Sequence, residues 1–285
     1  MKISILTPSY NSGAYIERAI KSVLHQNYQN YEHIVVDGDS NDETRSILQK
    51  YDHLIWVSEP DKGQPDAMNK AFDMSTGDII VYLNADDYFN SNVFQTVVDY
   101  FTQQPDADVL VGNLYLTSSQ STNIRLANSE YRFKKILLDF KYGFPYNPVC
   151  YFYKRQVQES LGDFPLDNHY AMDYWFILNT FKNNKVLKTD LVLGNYFDSG
   201  FNKSSISSGN TIRPVVKEFL KKNKVYRRYY NFNFFQYKVV YFFKVELKNR
   251  FKLVLLKLKN PSKKHTLNSI KRVTFRELLS SNKKD

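Results

Sequence analysis

The chain has almost no cysteine and no long apolar run. Cys150 is the single cysteine among 285 residues, which excludes a disulfide framework and fits a reducing compartment. No stretch approaches the roughly 18 uncharged apolar residues that a membrane-spanning helix needs. Residues 1–8 form too short and too polar a segment for a secretory signal peptide. These absences predict a cytoplasmic protein that does not cross a membrane.

Charge is unevenly divided along the chain. The formal net charge is +10, yet residues 1–212 hold 18 Lys+Arg against 25 Asp+Glu, and residues 213–285 hold 21 Lys+Arg against 4 Asp+Glu. An acidic body followed by a basic tail indicates two separate tasks. The apolar content of 42 % is enough for a packed core. We predict one globular domain over residues 1–212 and a basic, aromatic helical extension over residues 213–285.

Apolar runs and helical periodicities alternate through the first ninety residues. Short apolar runs bounded by turn residues predict strands, and apolar residues three or four apart predict helices. The alternation is typical of an α/β fold, with a mostly parallel sheet flanked by helices. The predicted strands are Ile3–Pro8, His33–Asp37, Leu54–Ser58 and Asp78–Leu83, and the predicted helices are Gly13–Gln26, Asp42–Tyr51 and Gln64–Met74.

The pattern is looser after residue 90. We predict helices at Val93–Phe101 and Tyr170–Phe181, strands at Asp108–Leu116 and Asn147–Tyr153, and loops at residues 117–130 and 199–210, which are rich in Ser, Thr, Gly and Asn.

Polar loops follow the predicted strands of the first half. They are Thr7–Asn11, Asp37–Asp42, Glu59–Gly63 and Asn84–Asp87. Parallel sheets bind ligands outside the carboxyl ends of their strands, so the topology brings these loops together. Carboxylate and amide oxygens after a buried strand are also what Mg²⁺ or Mn²⁺ needs in order to hold a diphosphate. One such run alone is equally compatible with a solvated turn, and Asp37 with a strand-end cap in an Asp-Gly turn.

The order and spacing of these segments resemble the family 2 glycosyltransferases, which are inverting enzymes of the GT-A (nucleotide-diphospho-sugar transferase) fold. The resemblance covers roughly residues 1–210 and implies that residues 1–212 are the catalytic domain. The matching segments are Ile5–Asn11, Val36–Thr44, Ser58–Gly63, Asp66–Lys70, Thr76–Asp78 and Leu83–Asp87, followed by Gly162–Phe164 and Ala171–Trp175.

The resemblance implies a nucleotide-sugar site at matching positions. Asp37 would accept a hydrogen bond from uracil, Asp61 would help to hold the nucleotide, and Lys62 would face the diphosphate. Pro8 and Tyr10 would line the base pocket. The remaining positions that it assigns to the nucleotide-sugar are Thr7, Asn69, Asn84, Ala85 and Asp86.

The resemblance also assigns the metal and the base. Asn84-Ala85-Asp86 would be this chain's version of the Asp-x-Asp motif, with Asp86 as the ligand of Mn²⁺ or Mg²⁺. Asn84 in the first position still offers a carbonyl oxygen but lowers the negative charge at the metal. Asp173 would be the general base, and since no covalent intermediate is required, Cys150 is interpreted as structural.

Other polar and aromatic residues have structural interpretations. Asp173 itself sits in a helical pattern, where an acidic residue is usually surface, and Asp163 and Asp167 are weaker base candidates. Asp39 and Asp42 are expected to shape their turn or cap the next helix, and His25 and His33 to be surface or packing residues. Four side chains are compatible with either contact with the acceptor or a structural role: His169, Tyr142, Tyr146 and Tyr151.

The implied function is transfer of one sugar from a UDP-sugar to a glycan or lipid-linked glycan acceptor in bacterial surface-polysaccharide assembly. The chain lacks the Gln-x-x-Arg-Trp segment and the spanning helices of processive members, which favours single or limited addition. The main alternative is a catalytically inactive nucleotide-sugar or glycan-binding scaffold on the same fold. A nucleotidyltransferase is disfavoured, because no Gly-rich basic loop follows the first strand. The sequence indicates no oligomeric state.

Basic and aromatic residues interleave in the tail. Lys244, Lys248, Lys252 and Lys259 fall on one arc of a helix, beside an apolar arc. Such helices lie on anionic membranes, so the enzyme could be peripheral on the inner face of the cell membrane. The alternative is packing on the catalytic body. The acidic body argues against nucleic-acid binding, although interleaved cations and aromatics also bind single strands.

Overall fold

A computed structural model of the chain describes residues 1–129, 132–138, 147–167, 171–200, 209–234 and 236. The chain divides into two units, Met1–Phe219 and Leu220–Asp285. The division falls inside a helix, Gly209–Lys222, rather than at residue 212. The functional division into a catalytic domain over residues 1–212 and an extension stays a prediction.

The first unit is an α/β structure around one mixed sheet. In the described ranges nine strands take part, in the order β3-β2-β1-β4-β8-β6-β9-β5, with β7 paired to β6 outside that path. The strands are β1 (Ile3–Ser9), β2 (Tyr31–Asp37), β3 (Leu54–Ser58), β4 (Ile79–Tyr82), β5 (Tyr88–Phe89), β6 (Val109–Ser118), β7 (Ser121–Ala127), β8 (Tyr151–Lys154) and β9 (Val186–Asp198). The helices are α1 (Ile16–Leu24), α2 (Thr44–Leu48), α3 (Gln64–Met74), α4 (Val93–Gln103), α5 (Phe133–Leu138), α6 (Arg155–Leu161), α7 (Met172–Thr180) and α8 (Gly209–Lys222), with a 3₁₀ turn at Pro148–Cys150.

The first four strands are parallel, as the alternation predicts. β1 pairs with β2 on one side and β4 on the other, and β2 pairs with β3. Every residue of β1 and β4 is buried, because helices cover both faces of a parallel sheet. α1 buries Ile16, Ile20 and Val23, which recur along one helical face. The carboxyl ends of β1, β2 and β4 therefore open on the same edge.

The prediction of a loop at residues 117–130 is wrong. β6 continues to Ser118 and turns back into β7, which runs antiparallel to it. Six of the seven residues of β7 are exposed, so the strand needs no apolar face and its Ser, Thr and Asn content resembles that of a loop. Gly209 and Asn210, which were predicted to close the second loop, instead begin α8.

The strand predicted at Asn147–Tyr153 is only partly right. Pro148–Cys150 form the 3₁₀ turn, because the Asn147 side chain caps it by accepting from the Val149 N–H at 2.8 Å. The strand is limited to β8. The sequence analysis also gives no prediction for β5, α5, α6 and β9.

Aromatic side chains fill the core of the second half. The Tyr151 ring stacks on Phe176 with centroids 6.1 Å apart and meets the Phe181 ring edge-on. Tyr151 is 2 % exposed, so it is a core residue and not an acceptor contact. His33 is fully buried and His25 is exposed, as packing and surface positions. Tyr142, Tyr146 and His169 lie outside the described residues.

The second unit is described only from Leu220 to residue 236. Residues 224–234 are helical, and the rings of Tyr230 and Phe234 stack 5.0 Å apart. Among the described residues, none of the helices combines the length and the apolar character that crossing a membrane requires. The predicted Lys244–Lys259 stripe lies outside the described residues.

Candidate active site at the carboxyl edge of the sheet

Asp37 ends β2 and is completely buried. Its carboxylate accepts from the Ser40 N–H at 3.0 Å and the Ser58 hydroxyl at 2.6 Å, and it also accepts from the Ser40 hydroxyl. Arg45 adds a nearby positive charge, with Nε 3.9 Å from Asp37 Oδ2. These donors hold a charged oxygen pair in one position at the strand end.

The Asp42 side chain organises the turn that follows, as expected of a turn or cap residue. Its carboxylate accepts from the Gly13 and Thr44 N–H groups, each at 2.9 Å. Asp39 adopts a left-handed backbone with φ of 65° and pairs with Arg45. The Asp42 side chain therefore connects the loop after β2 to the loop after β1.

Asp61 lies against the Asp37 loop. A Cβ placed on Gly38 would come within 2.6 Å of Asp61 Oδ2, so a larger residue there would displace the Asp61 carboxylate. The Gly63 N–H fixes the Asp61 carboxylate at 2.7 Å. Lys62 is exposed, and its backbone N–H donates to Asp66. The structure thus brings Asp37 and Asp61 together, as predicted.

At the end of β1, Thr7 differs from the other residues predicted to contact the nucleotide-sugar. The Thr7 hydroxyl is buried within the sheet and bonds to His33 Nε2 at 3.0 Å, so it is committed to the sheet. Pro8 is buried and Tyr10 is 63 % exposed, which leaves the Tyr10 ring accessible. The Ser9 hydroxyl, which the sequence analysis did not single out, is buried and has no hydrogen-bond partner among the described residues.

The Asn84 side chain joins its own loop to the start of α3. Its carbonyl oxygen accepts from Gln64 Nε2 at 3.2 Å, and its amide donates to Asp87 Oδ2 at 2.9 Å. The oxygen that the sequence analysis offered to the metal is therefore already engaged by Gln64. Ala85 is buried and Asp86 is half-buried, so Asp86 is the carboxylate of this motif with access to a ligand.

Arg18 of α1 holds the loop at Asp86. Its Nη2 donates to the Asp86 carbonyl oxygen at 2.7 Å, and its guanidinium lies 4.4 Å from the Tyr88 ring centroid and 4.2 Å from that of Phe197. Burial raises the pKa of the Asp86 carboxyl; Arg18 lowers it and Asp198 raises it further. The surroundings of Asp86 therefore include the Arg18 cation and the carboxyl groups of Asp87 and Asp198.

Asp173 lies in the first turn of α7 and is partly exposed. Burial raises the pKa of its carboxyl to about 6. The dipole at the N-terminus of α7 acts in the opposite direction, because it favours the charged form. Burial also raises the pKa of the Cys150 thiol to about 12, and the Asp173 charge adds to that effect. Cys150 is thus an inert structural residue, as predicted, and Asp173 lies near it.

Asn69 is not used at the nucleotide end. Its side chain donates to the Phe164 carbonyl at 3.0 Å and accepts from the Phe164 N–H at 2.8 Å. The Phe164 ring packs on Trp175 and Phe176 of α7. Asn69 therefore ties α3 to the segment that positions the helix of Asp173, whereas the sequence analysis placed it on the nucleotide-sugar.

Several residues of this edge escaped the sequence analysis because their contacts are distant in sequence. Arg18 and Asp86 are 68 residues apart, and Asp87 and Asn147 are 60 apart. The one available signal was a lone arginine beside the apolar stripe of α1. The predicted residues that the structure groups at the edge are Pro8, Tyr10, Asp37, Asp61, Asn84, Ala85 and Asp86.

The donor set fits a cation held by few protein ligands. No three His, Cys, Asp or Glu side chains within the described part of the chain form a group that could hold a metal ion alone. Asp86 offers one accessible carboxylate, and hard divalent cations commonly bind through one or two carboxylates together with phosphate oxygens. Asp86 is the described residue that suits this role.

The chain resembles glycosyltransferases in sequence. The profile described as Glycosyl transferase family 2 matches residues 4–172. A relative from Mycobacterium bovis, named PGL/p-HBAD biosynthesis glycosyltransferase, is 28 % identical over 227 residues, which cover 77 % of this chain and 82 % of the relative.

Solved structures share the fold. S. aureus TarS 1-349 in complex with UDP-GlcNAc superposes with a TM-score of 0.64 at 20 % identity, covering 77 % of this chain and 67 % of that one. This chain spans 39 % of the longer TarS chain, with 78 % of its own length covered, 19 % identity and a TM-score of 0.62. The mannosyltransferase PcManGT from Pyrobaculum calidifontis, in complex with GDP-Man and Mn²⁺, superposes with a TM-score of 0.54 at 18 % identity. The match covers 76 % of this chain and 69 % of the PcManGT chain.

At these identities the structural likeness establishes the fold, and the predicted GT-A architecture is confirmed. The family profile spans more than half of the chain and includes the loops that carry Asp37, Asp61 and Asp86. The chain therefore belongs to glycosyl transferase family 2 and is an inverting glycosyltransferase.

Proposed function

We propose that the chain transfers a single sugar from a UDP-sugar to a glycan or lipid-linked glycan acceptor in cell-surface polysaccharide biosynthesis. The observation that carries the proposal is the close approach of the loops that carry Asp37 and Asp61, on the same sheet edge as Asp86. A sheet edge with hydrogen-bonded carboxylates at one end and a half-buried carboxylate at the other suits a nucleoside diphosphate. The shared fold with TarS bound to UDP-GlcNAc supports a UDP-sugar donor.

The nucleotide end is built for a ring with N–H donors. Asp37 is held by Ser40 and Ser58 and presents a carboxylate to an incoming uracil N–H. The exposed Tyr10 ring offers a stacking surface, and the unpartnered Ser9 hydroxyl offers a further hydrogen bond.

The diphosphate end depends on Asp86. When bound, Mn²⁺ or Mg²⁺ would neutralise the charge that develops on the leaving diphosphate, and Asp86 would be its protein ligand. The Mn²⁺ in the PcManGT complex supports this assignment. Arg18 fixes the backbone of Asp86 through the bond to its carbonyl oxygen, so the carboxylate is positioned before the donor arrives.

Asp173 acts as the general base. β8 runs antiparallel to β4, so Tyr151 at its start lies towards the carboxyl edge, and Asp173 is close enough to raise the pKa of Tyr151. Asp173 takes the proton of the acceptor hydroxyl while that oxygen attacks the anomeric carbon. The bond from that carbon to the diphosphate oxygen breaks, and UDP leaves. One displacement inverts the anomeric centre without a covalent enzyme intermediate.

A panel of UDP-sugars tests the proposal. The enzyme, with Mn²⁺ and without an added acceptor, is expected to release UDP by slow hydrolysis from at least one donor of the panel. Asp173→Asn should abolish release and retain UDP binding. No release from any donor, together with intact UDP binding, would favour an inactive nucleotide-sugar-binding scaffold.

The second unit suits an anionic membrane surface, which would place the enzyme at the inner face of the cell membrane. Val225 and Phe232 are 78 % and 66 % exposed, and they lie about two helical turns apart on one face of the helical residues 224–234. Arg228 lies between them, and Lys224 flanks the face. No acidic residue occurs between Phe219 and residue 236. Apolar anchors among cations are typical of interfacial helices.

Vesicle flotation tests this contact. The full chain should float with phosphatidylglycerol vesicles and not with neutral phosphatidylcholine vesicles, and Phe232→Ser should weaken flotation several-fold. Asn231→Ser, an exposed change off the apolar face, is the matched control. Equal flotation of all three proteins would contradict the proposal, as would binding to single-stranded DNA but not to anionic vesicles.

A further inference from the structure

Asp87 is a completely buried carboxylate that joins separate segments of the chain. Its Oδ2 accepts from the amide of Asn84 at 2.9 Å and from the amide of Asn147 at 2.6 Å. Its Oδ1 accepts from the Phe197 N–H at 3.0 Å. One side chain thus connects the loop after β4, the cap of the 3₁₀ turn and the end of β9.

These segments carry the chemistry of the proposed transfer. Asn84 and Asp87 enclose Asp86 in sequence. The 3₁₀ turn carries Cys150, which Asp173 influences electrostatically. The end of β9 carries Phe197, whose ring packs on the Arg18 guanidinium that binds the Asp86 carbonyl. Displacement of Asp87 would therefore move Asp86 relative to the other groups.

The hydrogen bond to Asp87 accounts for the asparagine, in place of aspartate, at the first position of the Asp-x-Asp motif. Asn84 meets Asp87 Oδ2 with an amide donor at 2.9 Å. An aspartate there would replace the amide donor with a second carboxyl group facing a buried one. Asp87 Oδ2 would then lose the N–H donor that Asn84 supplies, and the loss of a partner inside a buried site is costly.

We propose that Asp87 is a positioning residue, which fixes the Asp86 loop between the 3₁₀ turn and the end of β9, and that Asn84 serves it as a hydrogen-bond donor and not as a metal ligand. The inference rests on the proposed function, since it concerns how Asp86 is held for a cation and a diphosphate. It explains why the Asn84 oxygen accepts a hydrogen bond from Gln64 while its amide donates one to Asp87.

The two roles of Asn84 predict opposite rank orders. If Asn84 is a metal ligand, Asn84→Asp strengthens Mn²⁺ binding and Asn84→Ala weakens it. If Asn84 is the donor to Asp87, Asn84→Ala loses the hydrogen bonds to Asp87 and Gln64. Asn84→Asp in addition sets two carboxyl groups against each other, so this variant should bind Mn²⁺ more weakly than Asn84→Ala. Neither change enlarges the side chain, so overpacking does not confuse the comparison.

The experiment measures Mn²⁺ binding to the full chain by calorimetry at saturating UDP, with kcat and KM for UDP release measured in parallel. We expect Mn²⁺ affinity to fall in the order wild type, Asn84→Ala, Asn84→Asp, with the last at least about tenfold weaker than wild type. A misplaced reacting group costs on the order of 100-fold in rate, so kcat should fall more than the donor affinity. Asp87→Asn should likewise weaken Mn²⁺ binding and lower kcat more than the donor affinity.

Glu32→Gln is the matched control. Glu32 is also a buried carboxylate with several donors, accepting from the Ser4 hydroxyl and the Thr76 N–H at 2.6 Å each, but it lies near the amino end of β2. Its loss should lower the melting temperature and leave Mn²⁺ affinity and kcat unchanged.

Two results would overturn the inference while leaving the proposed function intact. One is tighter or unchanged Mn²⁺ binding in Asn84→Asp. The other is an Asp87→Asn enzyme that matches Glu32→Gln in kcat and metal affinity. If Asp87→Asn does not fold, the rank order of the two Asn84 variants decides alone. A wild-type chain that binds neither UDP nor Mn²⁺ would overturn both the inference and the proposed function.

Discussion

The rate of sugar transfer should depend on pH through Asp173. Burial raises the pKa of this carboxyl to about 6 from an ordinary value of 3.8. A group with that pKa is about 90 % ionised at pH 7 and about 10 % ionised at pH 5. Since only the ionised form can accept the proton of the acceptor, kcat/KM should fall about tenfold between pH 7 and pH 5. A base with the ordinary pKa would lose about a tenth or less over the same range.

The assay is UDP release across pH 5–8 at constant ionic strength and saturating Mn²⁺. Preincubation at pH 5 followed by assay at pH 7 separates titration from acid inactivation. Asp173→Asn should lower kcat by about 100-fold to 10,000-fold, the contribution typical of general base catalysis, and leave UDP affinity unchanged. Asp163→Asn is the control, because Asp163 is a nearby exposed carboxylate. A profile that stays flat down to pH 5, or full activity in Asp173→Asn, would refute the assignment.

Three further outcomes are expected. Asp86→Ala should abolish the stimulation of UDP release by Mn²⁺, and unchanged metal dependence would show that another group binds the ion. Gly38→Ala should weaken UDP binding about tenfold, because a Cβ 2.6 Å from Asp61 Oδ2 displaces that carboxylate; calorimetry giving wild-type affinity would contradict this contact. The free energy of unfolding should fall as pH drops from 6.5 towards 3. Burial lowers the pKa of His33 to about 3 in the folded state, so between pH 6.5 and pH 3 only the unfolded chain binds a proton at this residue. This difference lowers the free energy of unfolding by up to about 5 kcal/mol. His33→Gln should flatten this slope in urea titrations, and an equal slope would exclude His33 as its source.

β1, β2 and β4 were predictable because nearly all of their residues are buried. β4 is a continuous apolar run, and Gln64–Met74 has the predicted bounds. β7 was missed because it is exposed and polar. β9 was missed because its alternation is broken where its register with β6 shifts, between Val111 and Leu114.

The site was predictable where a motif places a carboxylate at a strand end, as for Asp37 and Asp86. It was not predictable where a side chain is used by a distant partner. Thr7 is bonded to His33 and Asn69 to Phe164, 95 residues away. Sequence spacing carries no information about such partners, because the folded topology alone brings them into contact.

The anomeric configuration of the first sugar released tests the central claim most directly. The enzyme is incubated with Mn²⁺ and an α-linked UDP-sugar that it hydrolyses, and the product is followed by proton NMR before mutarotation. A single displacement assisted by Asp173 predicts that the β-anomer appears first, at a rate that Asp173→Asn abolishes. Initial appearance of the α-anomer would contradict the account, because retention requires a mechanism that this site does not provide.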